Sequence, residues 1–296
     1  MIDKSASQRV VLRDAVPTRH SPYHISWIGL SALLALLLFG QSWIAADEAL
    51  NPPPCTLPFD SIKVHQTIDD ECGVEGKKAD GSELDPGHKL QNRVKNDFCV
   101  PGPAVGITAN MFRRLQQIID QKAAAGEVTY GDRDNLPTSR TVFVGPYELP
   151  DDVSLGEGRL VRFAGFIQRA HAGQDESCNC ERTRIENHDI HLDLAATKNA
   201  PECKRIIAEV SPHWRPAAWV TRKFTKVKKQ GFPVRLTGQL FFDAAHVACN
   251  RGGVKRTTEW EIHPVYHVDV ATTKSLPSAD DDLKWVPLEQ WLASHP

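Results

Sequence analysis

Imidazoles set beside carboxylates are the first chemistry this chain offers. His188 and His191 stand in the stretch Asn187-His188-Asp189-Ile190-His191-Leu192-Asp193, and His246 lies further on. Histidine with carboxylate is a donor set for zinc or another divalent metal, provided that three or four ligands meet at one point. Residues three apart share a face of a helix but take opposite faces of a strand. His188 and His191 can therefore chelate together only if His188 lies in the loop before a strand. The competing reading is a polar strand start with hydrogen-bonded histidines and no cofactor, and convergence of either residue with His246 decides between the two. Glu186, Asp189, Asp193, Glu209 and Glu261 fall near strand ends, where they could form an acid–base pair or hold a cation for phosphodiester cleavage.

The seven cysteines are Cys55, Cys72, Cys99, Cys178, Cys180, Cys203 and Cys249. Cys178-Asn179-Cys180 has a single intervening residue, too few for a zinc knuckle or a thioredoxin-type redox pair. Disulfides are the expectation, with the Cys178/Cys180 loop joined to Cys203 or Cys249 and some of Cys55, Cys72 and Cys99 stapling residues 55–107. An odd number leaves at least one cysteine unpaired within the chain.

Charge is the third candidate. The whole chain carries only −2, which excludes a uniformly basic nucleic-acid coat, but residues 153–275 hold 19 Lys+Arg against 13 Asp+Glu. Arg222, Lys223 and Lys226 crowd one expected helix, and with Arg215, Asp189 and His191 they are the ligand-binding candidates. Anionic envelope polymers, lipid headgroups or a protein partner would answer such charge. Nucleic acid is a weaker candidate, because the expected second and third strands lack an aromatic on which bases could stack. A solvated helix face is the plainer reading. No Gly-x-Ser-x-Gly, Walker, Gly-x-Gly-x-x-Gly or His-Glu-x-x-His motif is present.

The elements that must position these residues are mainly strands. Hydrophobic residues make up 41% of the 296-residue chain and charged residues 24%, enough to bury a core. Strands are expected at 159–168, 190–194, 205–210, 234–243 and 260–270, with a helix over 217–229 between the third and fourth. Gly165 and Gly238 interrupt the first and fourth strands, suggesting bends, and Pro264 belongs at a bulge or an edge. Three strands, a helix and two strands are the order of an OB-fold, a five-stranded Greek-key barrel. In the fifth strand, Trp260 and Ile262 should face inward, leaving Glu261 and His263 outward and dispensable for folding. Ahead of the barrel, Thr108 caps a helix with an apolar stripe of Ala109, Phe112, Leu115, Ile118 and Ile119 that ends at Gly126. Thr141–Val144 reads as a short strand, and residues 55–107 as irregular, with turns at Asp80-Gly81 and Pro86-Gly87.

Cys72-Gly73, Leu90-Gln-Asn-Arg93, Ser177-Cys-Asn-Cys180, Asp189-Ile-His-Leu192, Glu209-Val-Ser-Pro212, Arg215-Pro216, Val234-Arg-Leu-Thr-Gly238 with Phe242-Asp243, and Trp260-Glu-Ile-His-Pro264 together form a pattern. In these blocks the chain resembles an uncharacterised bacterial family of OB-fold-like proteins carrying the Trp-Glu-Ile-His-Pro motif, over most of residues 70–270. The resemblance implies fold and an extracytoplasmic compartment, and it carries over no catalytic residue.

Compartment is also read from the N-terminus. No charged residue occurs between Arg19 and Asp47, and Trp27–Ala46 is apolar for 20 residues, a helix of roughly 30 Å that matches a bilayer core. Ile44-Ala45-Ala46 would also serve as a cleavage site, but the long segment before the run favours a retained signal anchor. Lys4, Arg9, Arg13 and Arg19 precede the span, whereas Asp47 and Glu48 follow it, so the N-terminus stays in the cytoplasm. The expected organisation is a cytoplasmic tail (1–23), a transmembrane helix (24–46), a Pro/Gly-rich Cys-containing segment with a helix (47–152), the OB-fold-like barrel (153–275) and a C-terminal tail (276–296). The expected function is a membrane-tethered, periplasmic binding or assembly module needing no cofactor. The alternatives are a metal-dependent hydrolase, such as a nuclease, built on His188, His191 and His246, and a structural envelope protein. The protein should fractionate with the inner membrane, and protease added from outside should digest its C-terminal part. A mature form beginning at Asp47 would overturn the anchor.

Overall fold

Alternation of apolar and polar residues dictates the centre of the molecule. The computed structural model describes Ile68 and residues 72–296; the expected cytoplasmic tail, the expected span and Cys55 lie outside the described residues. Five strands close into a barrel: β4 (Leu160–Ala172), β5 (Ile190–Ala195), β6 (Ile206–Val210), β7 (Val234–Phe242) and β8 (Trp260–Ala271). They follow the order β4-β5-β6-β8-β7, and β7 pairs back onto β4 to close the ring. Every barrel pairing is antiparallel except β6–β8, which is joined at one registered pair, Ala208 with Ile262. Alternate residues such as Leu192, Leu194, Val210, Leu236, Leu240 and Ile262 fill the interior.

Closure of so small a ring requires sharp turns in its strands. β4 pairs with β7 up to Gly165 and with β5 from Phe166 onward, so Gly165 stands where the strand changes partner. A Cβ there would meet the Ala195 carbonyl at 2.6 Å. The β7–β8 register shifts on both sides of Gly238, which pairs with Val265, and the adjacent Pro264 falls in the resulting bulge, where a missing N–H is tolerated.

Before the barrel come α1 (Pro86–Lys95), a short β1 (Val105–Gly106) along β4, and α2 (Ala109–Ala124). Thr108 Oγ1 caps α2 by accepting the Met111 N–H. The expected stripe packs on the barrel core, with Phe112 meeting Phe163 edge-on at 5.9 Å. The expected strand Thr141–Val144 is instead one helical turn, α3. Its β-branched residues favour a strand, but packing prevails: Phe143 is buried and stacks on Phe242 at 4.3 Å. A hairpin of β2 (Tyr147–Leu149) and β3 (Val153–Leu155) leads into β4. The helix between β6 and β7, α4, spans Thr221–Gln230, shorter than expected because Trp219 is drawn into the core just before it. Residues 276–296, read as a tail, carry β9 (Trp285–Pro287) on β8 and α5 (Leu288–Ser294), whose Leu288 and Trp291 join the core. No helix of the described residues is long and apolar enough to cross a membrane.

Among the described residues, two disulfides link Cys72 with Cys180 and Cys203 with Cys249. This corrects the expected bridge from the Cys178/Cys180 loop to Cys203 or Cys249. Tertiary packing decided the matter, against distance along the chain: Cys180 reaches back across 108 residues to the segment before α1, and Cys178 keeps a buried thiol.

Trp260 is fully buried and packs on Phe242 with ring centroids 5.2 Å apart. Glu261 and His263 do point away from the interior, yet both are buried beneath other elements and do not face solvent. Trp260→Ala should destabilise the barrel by about 3–5 kcal/mol, read from denaturant unfolding. An unchanged unfolding midpoint would refute the packing described here.

Candidate functional site

The outward residues of the barrel strands would ordinarily meet water. On one side they instead form a row of titratable groups under a lid. His171 on β4 is in register with His191 on β5, and His191 with Glu209 on β6. The parallel β6–β8 pairing brings His263 beside Glu209. The His171 and His191 rings lie 5.2 Å apart, His191 Nε2 is 3.3 Å from Glu209 Oε1, and Glu209 Oε2 is 2.6 Å from His263 Nδ1.

The lid is α1 together with the loop after β4. Asp85 caps α1 by accepting the N–H groups of Gly87 and His88, and Pro86 occupies its first turn, where a missing N–H costs nothing. Pro86-Gly87 thus starts a helix and does not mark a turn in an irregular segment. The helix escaped the sequence pattern because its inward face is polar: Gln91, Asn92 and Lys95 are buried. Lys95 pairs with Glu176 of the loop and stands 3.4 Å from Glu209 Oε2. Asn92 and Asn96 donate hydrogen bonds to Glu75 O and Val74 O, and Asn96 also donates to Cys178 O. Cys180 and Glu181 are held in the left-handed backbone region, a cost of about 1–3 kcal/mol each. The Cys72–Cys180 bridge and the Ala79 N–H bond to Glu181 hold that turn in place.

Burial opposes charge on this row, and the ion partners decide the outcome. Burial disfavours the Lys95 ammonium, but Glu176 and Glu209 outweigh it and hold its pKa well above the ordinary 10.5. Burial also works against ionised Glu176, yet Lys95 brings that carboxyl down to about 2. For His191, Glu209 and Glu176 overcome desolvation and carry its pKa up to about 10. Asp189 has no Lys or Arg within ion-pair distance among the described residues. Burial and the neighbouring carboxylates push its pKa up.

A second network adjoins the first. The Arg256 guanidinium serves Glu259, Glu261 and Asp243, the last at 2.8 Å. Burial raises Glu259 and Glu261, whereas His246 and Arg256 hold the equally buried Asp243 well below its usual range. His246 Nδ1 lies 2.6 Å from Asp243 Oδ2, and this bond raises the histidine pKa.

Both networks open into one cavity of about 1180 Å³, lined by Lys95, Glu176, His191, Glu209, Asp243 and His246 among others. Its walls also carry Arg133, Arg169, Asp193, Arg205 and Lys255, and no Phe, Tyr or Trp. A smaller hollow of about 410 Å³ beside Lys122 and Tyr147 gathers no comparable set of groups. No protein-family model matches this chain, and no curated protein matches it.

The expected residues are scattered by comparison. His188 turns both ring nitrogens to backbone carbonyls, those of Gly173 and Arg182, at 3.1 and 2.7 Å. None of the ligand clusters among the described residues holds more than one of His188, His191 and His246, so the expected metal triad does not assemble. Arg215 clamps the carbonyls of Glu186, His188 and Val210. Arg222, Lys223 and Lys226 ride on α4, whose Phe224 and Val227 face the core, and they do not line the cavity. Asp189 sits behind the cavity floor, where Asn179 Nδ2 donates to it at 2.8 Å. Sequence reasoning missed Lys95, Glu176, His171 and Asp243, and for Lys95 the available signal was the Asp85-Pro86 helix start.

Because the His246 pKa is raised in the fold, stability from its pair with Asp243 is complete below the ordinary value of 6.5. That stability is lost as pH rises through the folded value. Urea unfolding should separate wild type from His246→Gln most at about pH 6 and bring them together in alkali. A gap that widens with pH would refute the pairing.

Proposed function

We propose that the barrel is an OB-fold and that it serves as a binding module for a hydrophilic envelope polymer, held outside the cytoplasm by the N-terminal anchor. The observation that carries this reading is the location of the large cavity, over the outer face of the second and third barrel strands. Barrels of that fold take oligonucleotides and oligosaccharides there. The strand order, the parallel pairing of the third and fifth strands and the helix between the third and fourth support the fold assignment. The chemistry of the walls favours a glycan over nucleic acid. Charges of both signs and many hydrogen-bonding groups suit hydroxyl-rich ligands, and stacking platforms for bases are missing from the lining.

One observation favours a second reading, hydrolysis of that polymer. His246 is oriented by Asp243 and is 39% exposed at the cavity wall, the arrangement of a general base held by a carboxylate. In that reading His246 and His191 remain in the site and His188 leaves it. A structural envelope role, the third alternative, requires neither ligand nor turnover.

The test is equilibrium binding of the purified full chain to soluble cell-wall glycan fragments, with a single-stranded oligonucleotide as comparator. Glycan fragments should bind and the oligonucleotide should not. Arg205→Ala, which removes a charged donor from the wall, should weaken binding roughly tenfold. Arg222→Ala on α4 should leave it unchanged. Release of shortened glycan by wild type and not by His246→Ala would move the conclusion to the hydrolase, and absence of glycan binding would overturn the module.

A further inference from the structure

At the cavity floor and behind it, three side chains from different segments aim polar atoms at one another. Asp189 lies just before β5, Glu209 in β6 and His263 in β8, and they are 1%, 2% and 0% exposed. One ligand atom from each lies within 4.8 Å of the others. Asp189 Oδ2 accepts its bond from Asn179. Asp189 Oδ1, Glu209 Oε2 and both ring nitrogens of His263 have no hydrogen-bond partner among the described residues. Glu209 Oε2 and His263 Nδ1 are close, at 2.6 Å, but out of line for an N–H···O bond.

Each buried polar atom left unmet costs about 1–3 kcal/mol, so native interiors leave few of them and seldom several together. The local charge points the same way. Glu176, Asp189 and Glu209 crowd this region, and the ammonium of Lys95, which pairs with Glu176 and stands 3.4 Å from Glu209 Oε2, is a single charge against three carboxylates. No lysine or arginine among the described residues pairs with Asp189. A positive centre among Asp189, Glu209 and His263 would satisfy the open atoms together and balance the carboxylates.

We propose that Asp189, Glu209 and His263 form a buried site for a first-row divalent cation. Two carboxylate oxygens and one imidazole nitrogen are the donor set of zinc or manganese. Two further donors stand close by: the Cys178 thiol, its Sγ 4.0 Å from Asp189 Oδ2, and His191 Nε2, 3.3 Å from Glu209 Oε1. The ligands come from the start of β5, from β6 and from β8, and so they straddle the β6–β8 seam, where the strands share one registered pair. The ion would staple the barrel at its least paired join. This site is separate from the expected histidine triad and does not depend on what the cavity binds.

The experiment is metal analysis of the full chain, followed by calorimetric titration of chelator-treated protein with zinc and with manganese. A single ion per chain should bind and raise the unfolding temperature. Asp189→Asn and His263→Gln should each weaken binding by upwards of about a hundredfold, beyond the range for loss of an outer-shell partner. Glu176→Gln, on the cavity side, should keep the ion. Should the variants not fold, X-ray absorption of the loaded wild type decides, with a shell of oxygen and nitrogen including one imidazole expected. Folded wild type that binds neither metal, unchanged affinity in both ligand variants, or a shell containing several imidazoles would overturn the site.

Discussion

Glu209 is a carboxylate that the fold removes from water and then surrounds. It projects from the outer face of β6, where a barrel residue would normally be solvated, and it is 2% exposed. A buried carboxylate persists only when partners supply the interactions that water would have made. Here those partners arrive from every side: His191 from β5, His263 from β8 and Lys95 from α1. Removing any one of them would leave charge stranded in the interior. The position of α1 on the barrel, and with it one wall of the cavity, follows from this one group.

The lid obeys the same constraint. A helix that covers charge cannot carry an apolar stripe, and α1 buries Gln91, Asn92 and Lys95 where most surface helices bury leucine. Such a helix gains little from the hydrophobic effect, so other bonds must hold it. Gln239 donates to Val94 O at 2.6 Å and Gln91 donates to Asp243, while the Cys72–Cys180 bridge fixes the loop bearing Glu176. Gln91 also accepts from Arg140, which pairs with Glu157, so the lid is tied into a buried polar lattice that reaches Phe242 O. Networks of this kind discriminate strongly among conformations, because each unmet member is costly. The apolar core inside the barrel closes the ring, and the polar layer outside it holds the lid in one position.

Much of this protein was legible in one dimension. Period-two alternation in 190–194 and 234–242, glycines at bends and the order of strands and helix determined a closed five-stranded barrel, because strand faces follow from local spacing alone. Thr108 and the stripe through Phe112 and Leu115 likewise determined α2. What tertiary structure decided were relations between distant segments. Alternation says that Glu261 and His263 leave the barrel interior but not that other elements bury them there. Cysteine counting says that bridges form but not that Cys180 chooses Cys72, 108 residues away. The triad of His188, His191 and His246 was plausible by residue type, yet His188 faces its own loop carbonyls, and His191 took Glu176 and Glu209 as partners. Side-chain chemistry is written in the sequence; convergence depends on strand register and on which helix covers which face, and local spacing encodes neither.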